Sequence, residues 1–124
     1  MEGLTFDTGA LIALERRKAR MAQVLAVARR KNVPITVPAA VLTEWWRGQS
    51  SGIGAILRAV SVEPVTKALA LSAGEALAAT KGKNAVDALV MASAATRGDI
   101  VYTSDVRDLM ALQAAFPGVR VLRC

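Results

Sequence analysis

Five carboxylates stand where an acid does more than solubilise the chain: Asp7, Glu44, Asp87, Asp105 and Asp108. Asp7 ends the short apolar run 3–6, and Asp105 follows a second such run at 99–103. Asp87 lies in the segment 85–95, which is apolar on nearly every side, and its own helical face continues with Val90, Met91 and Ala94. An ionised carboxylate in such surroundings is costly unless a cation or hydrogen-bond donors compensate it. Glu44, in the segment 39–47, stands about 60° from Val41 and about 100° from Trp45 on a helical wheel, so it borders an apolar face. Four of the five also have a plainer reading. Asp7 and Asp105 suit helix N-caps, Asp87 suits a first helical turn three residues after Asn84, and Glu44 suits an i,i+3 pair with Arg47.

Taken together the five are half of the ten acids, and without them the remaining chain carries 16 cations against five acids, a net +11 compared with +6 overall. An acidic pocket within a basic surface is the charge layout of a metal-dependent nuclease. Crowded carboxylates repel one another unless a hard cation such as Mg²⁺ or Mn²⁺ neutralises them, and those ions prefer oxygen donors. Such an ion lowers the pKa of a bound water and stabilises the charge that develops on a scissile phosphate. Arginines at the rim suit the polyanion.

Composition removes the main rivals. Histidine is absent and Cys124 is the single cysteine, which excludes His-assisted serine and cysteine hydrolysis, His-pair ribonuclease chemistry, an intrachain disulfide and the common zinc and haem sites. The longest stretch without a charge, 32–43, is broken by Pro34 and Pro38 and falls short of the roughly 18 residues of a membrane helix. With no secretory signal visible after Met1, a cytoplasmic protein that does not engage a membrane is expected. The length of 124 residues fits one domain, 1–124.

The elements that must position these acids alternate. Strands are expected at 3–6, 33–37, 60–65, 99–103 and 119–122. Helices are expected from Thr8, at about 20–31 on Met21, Val24, Leu25 and Ala28, at 39–47, at 55–58, at 66–80 as one helix or two, at 85–96 between Asn84 and Gly98, and from Ser104 or Asp105 to about Ala115. The segment 48–52 reads as punctuation, and Gly52-Ile53-Gly54, lacking the residues of a phosphate loop, reads as a turn. Helical connections between successive strands give an α/β, three-layer α/β/α sandwich with a mostly parallel sheet of four or five strands. Its functional crevice lies at the carboxyl ends of the strands, where Asp7 and Asp105 are expected.

The motifs Phe6-Asp7-Thr8-Gly9-Ala10-Leu11, Thr43-Glu44, Asn84-Ala85-Val86-Asp87-Ala88-Leu89-Val90 and Thr103-Ser104-Asp105-Val106-Arg107-Asp108-Leu109 resemble, in order, the four acidic motifs of PIN-domain ribonucleases, and most of all the VapC toxins of bacterial toxin–antitoxin systems. The resemblance implies a Mg²⁺- or Mn²⁺-dependent endonuclease acting on single-stranded or structured RNA, such as transfer or ribosomal RNA, neutralised by a cognate antitoxin and commonly paired as a homodimer. It implies a metal site of Asp7, Glu44, Asp87 and Asp105 with Asp108 as an accessory acid. Thr8 and Thr103 would orient water or carboxylates.

Other features leave alternatives open. Adjacent Trp45 and Trp46 point about 100° apart on a helix, so at least one is expected at a rim, to stack on a base, to seat an antitoxin, or to pack in a core or dimer interface. Arg16, Arg17, Lys18 and Arg20 form either a solvated helix end or an RNA contact. The rival to the enzyme is a catalytically inactive RNA- or protein-binding module on the same fold, with the acids as caps and ion pairs. A phosphotransfer receiver domain fits less well, since there is no acidic pair at the first strand and no lysine after Lys83.

Overall fold

The apolar runs at 4–6 and 35–38 become fully buried strands, because so short a run can bury both of its faces only between two layers of helices, whereas the strands at the two edges of the sheet stay largely exposed or half-buried. The computed structural model describes residues 3–47 and 51–124, with only the backbone of Ser51. The strands are β1 (Leu4–Phe6), β2 (Ile35–Pro38), β3 (Ser61–Glu63), β4 (Ile100–Thr103) and β5 (Arg120–Arg123). They form one all-parallel sheet in the order β3-β2-β1-β4-β5, with Leu4 level with Ile35 on one side and Ile100 on the other. The helices are α1 (Thr8–Glu15), α2 (Ala19–Arg30), α3 (Ala39–Trp45), α4 (Ser51–Ala59), α5 (Lys67–Ala79), α6 (Ala85–Arg97) and α7 (Val106–Met110). Right-handed crossovers place α1 to α4 on one face and α5 to α7 on the other, giving the expected three layers.

The core is continuous through these layers, from Leu11, Val41 and Trp45 across Phe6, Val37 and Val101 to Val90, Met91, Leu109 and Leu112. No helix is long and apolar enough to cross a membrane among the described residues.

Three local expectations need correction. Gly52-Ile53-Gly54 is not a turn but the first part of α4, because Ile53 and Ile56 bury on one face and that burial outweighs the poor helix propensity of glycine. The rest of the expected punctuation, 48–50, lies outside the described residues. The helix expected to reach Ala115 breaks after Met110 and resumes as a 3-10 turn, Gln113–Ala115. Leu109 and Leu112, on either side of the break, both bury fully. The helix expected to reach Arg47 stops at Trp45, whereas the segment expected at 66–80 is the single helix α5, capped by Thr66 Oγ1 accepting from Leu69 N–H at 3.1 Å.

Candidate functional site

The chain leaves β1 toward β2 and leaves β4 toward β5, so the gap at the carboxyl ends of these two adjacent strands is the topological switch point of the sheet, where parallel α/β proteins place their sites. Asp7 follows β1 directly, and Asp105 stands two residues beyond β4. Both are the N-caps that their local sequence suggests: Asp7 Oδ1 accepts from Ala10 N–H at 2.9 Å and Asp105 Oδ1 from Asp108 N–H at 3.2 Å. Capping fixes each carboxylate against its helix and leaves one oxygen for other work.

Two threonines tie the acids together. The Thr103 hydroxyl accepts from Asp105 N–H at 2.9 Å and is hydrogen-bonded to the Asp7 side chain, so one hydroxyl joins the two strand ends. Thr8 Oγ1 donates to Glu44 Oε1, bringing α3 to the first turn of α1. Glu44 therefore takes its partner from Thr8, not from Arg47, with which it forms no ion pair among the described residues. Gly9 makes the convergence sterically possible: a Cβ there would collide with the Ser104 side chain in the loop after β4.

Asp87 reaches the crevice from the other layer, in the first turn of α6, where Asn84 Oδ1 caps the helix by accepting from Asp87 N–H at 3.0 Å. Burial pushes its carboxyl up to about 6, and the charges of Asp7, Asp108, Glu44 and Asp105 all add to the rise. All four other acids thus raise Asp87 through their charge. Asp7 is raised as well, by burial first, with the Thr103 hydroxyl and the Ala10 and Gly9 amides pulling it back and the Glu44 charge adding to the rise. Asp108, fully exposed, is raised chiefly by its hydrogen bond and like charge with Asp105. No ion pair relieves any of the five among the described residues.

An all-carboxylate donor set under mutual repulsion fits a hard divalent cation in its chemistry. As the side chains are placed, however, no three His, Cys, Asp or Glu among the described residues converge tightly enough to hold one ion.

The two tryptophans divide as expected: Trp45 is fully buried and donates from Nε1 to Glu15 at 3.1 Å, whereas Trp46 lies beyond the end of α3 and is exposed. Ser104, which the sequence offers only as a helix cap, packs against Gly9, and Lys81 and Lys83, to which the sequence assigns no site role, line a cavity with Asp87 and Asp108. The signal for the lysines was their closeness to the Asn84 cap.

Residues 4–111 match the PIN domain family model. This chain belongs to the PIN domain family. Among solved structures the PIN fold here is similar to a VapBC from Salmonella typhimurium bound to DNA, at 15% identity and a TM-score of 0.73 over 99% of this chain and 98% of that one. It is also similar to VapBC2 from Rickettsia felis bound to a fragment of its promoter DNA, at 13% identity and 0.76 over 98% of both chains. A third likeness is to FitAB bound to a DNA fragment, at 17% identity and 0.62 over 97% and 94%. No curated protein matches the sequence.

Proposed function

We propose that this PIN domain, a single domain spanning 1–124, is a cytoplasmic toxin of the VapC type, a Mg²⁺- or Mn²⁺-dependent endoribonuclease neutralised by a cognate antitoxin and pairing as a homodimer. The observation that carries the reading is the unpaired acidic cluster at the switch point, with Asp87 held near 6 by burial and four neighbouring carboxylates. Perturbed acids in a cleft, with no cation of the chain to pair them, mark a candidate functional site. The antitoxin is supported by the neighbours, which are toxin–antitoxin complexes, and RNA by the net +11 that the rest of the chain carries.

In this reading Asp7, Glu44, Asp87 and Asp105 would hold the cation and Asp108 would assist. When bound, the cation supplies an activated water and stabilises charge on the scissile phosphate. The chain's own residues prepare the ground: Thr103 ties Asp7 to the loop of Asp105, Thr8 aims Glu44, and burial leaves Asp87 able to hold or release a proton near pH 6.

Total bacterial RNA incubated with the wild type and with Asp7→Asn, each in EDTA, Mg²⁺ or Mn²⁺, tests this, with fragment ends read by sequencing. The expected result is discrete metal-dependent cuts that the variant does not make. Intact RNA in every lane would overturn it and favour a catalytically inactive binding module. That second reading draws on the spacing of the acids, no three of which converge on one point among the described residues, and it expects salt-dependent RNA binding indifferent to EDTA.

A further inference from the structure

A cavity of about 310 Å³ opens beside the carboxylates, lined by residues 81–84, Asp87, Asp108 and Ala111. That volume is at the lower end for sites that take small ligands or parts of larger ones. Asp87 and Asp108 form part of its wall, so the cavity is continuous with the candidate site. The loop between α5 and α6 supplies the lysines, Lys81 and Lys83.

The loop is built to hold one shape. Thr80 Oγ1 donates to Ala76 O at 2.7 Å and accepts from Gly82 N–H at 3.1 Å, closing the end of α5. Asn84 closes the start of α6. Gly82 sits so near the fully buried Leu112 that any Cβ would strike its side chain. Lys81 and Lys83 are thus carried on either side of a pinned glycine. Both are exposed, and neither forms an ion pair among the described residues, although two carboxylates share their cavity.

Two uncommitted ammonium groups beside a repelling acidic cluster answer a specific electrostatic problem. A nucleic acid strand that brings one phosphate to the carboxylates must bring its neighbouring phosphates close too, and the acids repel those. Lysine, a compact and mobile charge, suits a phosphate whose position is not fixed to one bidentate geometry. We infer that Lys81 and Lys83 form a phosphate subsite that holds the RNA backbone next to the scissile group and so positions the strand across Asp87 and Asp108. The inference rests on the nuclease reading for its substrate and reaches beyond it in assigning these two side chains.

The test measures binding of a short labelled single-stranded RNA to the Asp7→Asn protein across a salt series, with and without Lys81→Ala and Lys83→Ala together. Each phosphate contact on a single strand contributes about 0.7 to the slope of log affinity against log salt. The double substitution is therefore expected to lower that slope by about 1.4 and to weaken binding at every salt concentration. Lys81→Arg with Lys83→Arg should keep the slope. Lys67→Ala, at the opposite end of the 13-residue helix α5 and hence about 20 Å away, should leave it unchanged. In the cleaving protein the double alanine substitution should raise KM and leave kcat nearly intact. An unchanged slope overturns the subsite. If the wild type cuts no RNA the nuclease reading fails, and the slope still decides whether these lysines bind phosphate; if it cuts and the slope does not move, the subsite alone fails.

Discussion

At its C-terminal end α6 presents Arg97 to two acids and two hydroxyls; at its N-terminal end it presents Asp87 to four acids and no paired cation among the described residues. The Arg97 guanidinium bonds Glu63 at 2.6 Å, the deeply buried Asp99 at 2.9 Å, Thr5 at 3.0 Å and Ser93 at 2.8 Å. Thr5 also donates to Asp99 at 2.8 Å and Ser93 to Glu63 at 2.7 Å, so every member has a partner and α6 is tied to β1, β3 and the start of β4. The acids at the other end are met by backbone amides, hydroxyls and one another, and by no ion pair among the described residues. Burial is therefore not what separates a structural acid from a functional one in this fold. Asp99 and Asp7 are both buried, and they differ in whether a cation of the chain itself answers the charge.

The largest expected effect breaks the satisfied end. Arg97→Met keeps the packing of the stem but leaves Asp99 buried without its cation, which costs about 3 kcal/mol for a pair of this kind. Denaturant unfolding should show the midpoint fall at unchanged m-value. A loss below about 0.5 kcal/mol, the size of an exposed pair, would mean that the network is ornamental and the contrast between the two ends is false.

A smaller effect is expected where the strand ends of the acidic site meet. Gly9→Ala drives a methyl into Ser104 and should cost about 2 kcal/mol as overpacking. Gly9→Ala combined with Ser104→Gly should recover much of that loss, because the two sites are in contact and couple. Additive losses would show that the contact does not set how closely the Asp7 and Asp105 segments approach.

Much of this was legible in the sequence. The central strands read clearly because each draws on a short apolar run between helical patterns, Asp87 stood out as a single acid in apolar surroundings, and Asp7 and Asp105 were marked by following such runs. Glu44 was ambiguous because Arg47 offered a local partner, while its true partner Thr8 lies 36 residues away. The Arg97 network was invisible for the same reason: its links to Glu63 and Thr5 span 34 and 92 residues. The segment at Gly52 was misread because glycine signals a turn locally, whereas the burial of Ile53 and Ile56 is decided by tertiary packing. The role of Gly9 depends on what packs against it, which a single sequence does not display.

The thermal stability of the wild type and of Asp87→Asn, in EDTA and in Mn²⁺ from pH 5 to pH 8, probes the acidic end most directly. The Asp87 pKa is raised on folding from 3.8 to about 6, so the folded state holds the proton more tightly than the unfolded chain. Its contribution is most favourable below about 4 and is lost as pH rises through about 6. Without metal, Asp87→Asn should therefore match the wild type more closely at pH 5 and exceed its melting temperature at pH 8. Mn²⁺ should raise the wild type and leave the variant nearly unmoved. A variant less stable than the wild type at pH 8 in EDTA, with the same response to Mn²⁺, would show that Asp87 is a helix-dipole partner and contradict a cation site at this end of the sheet.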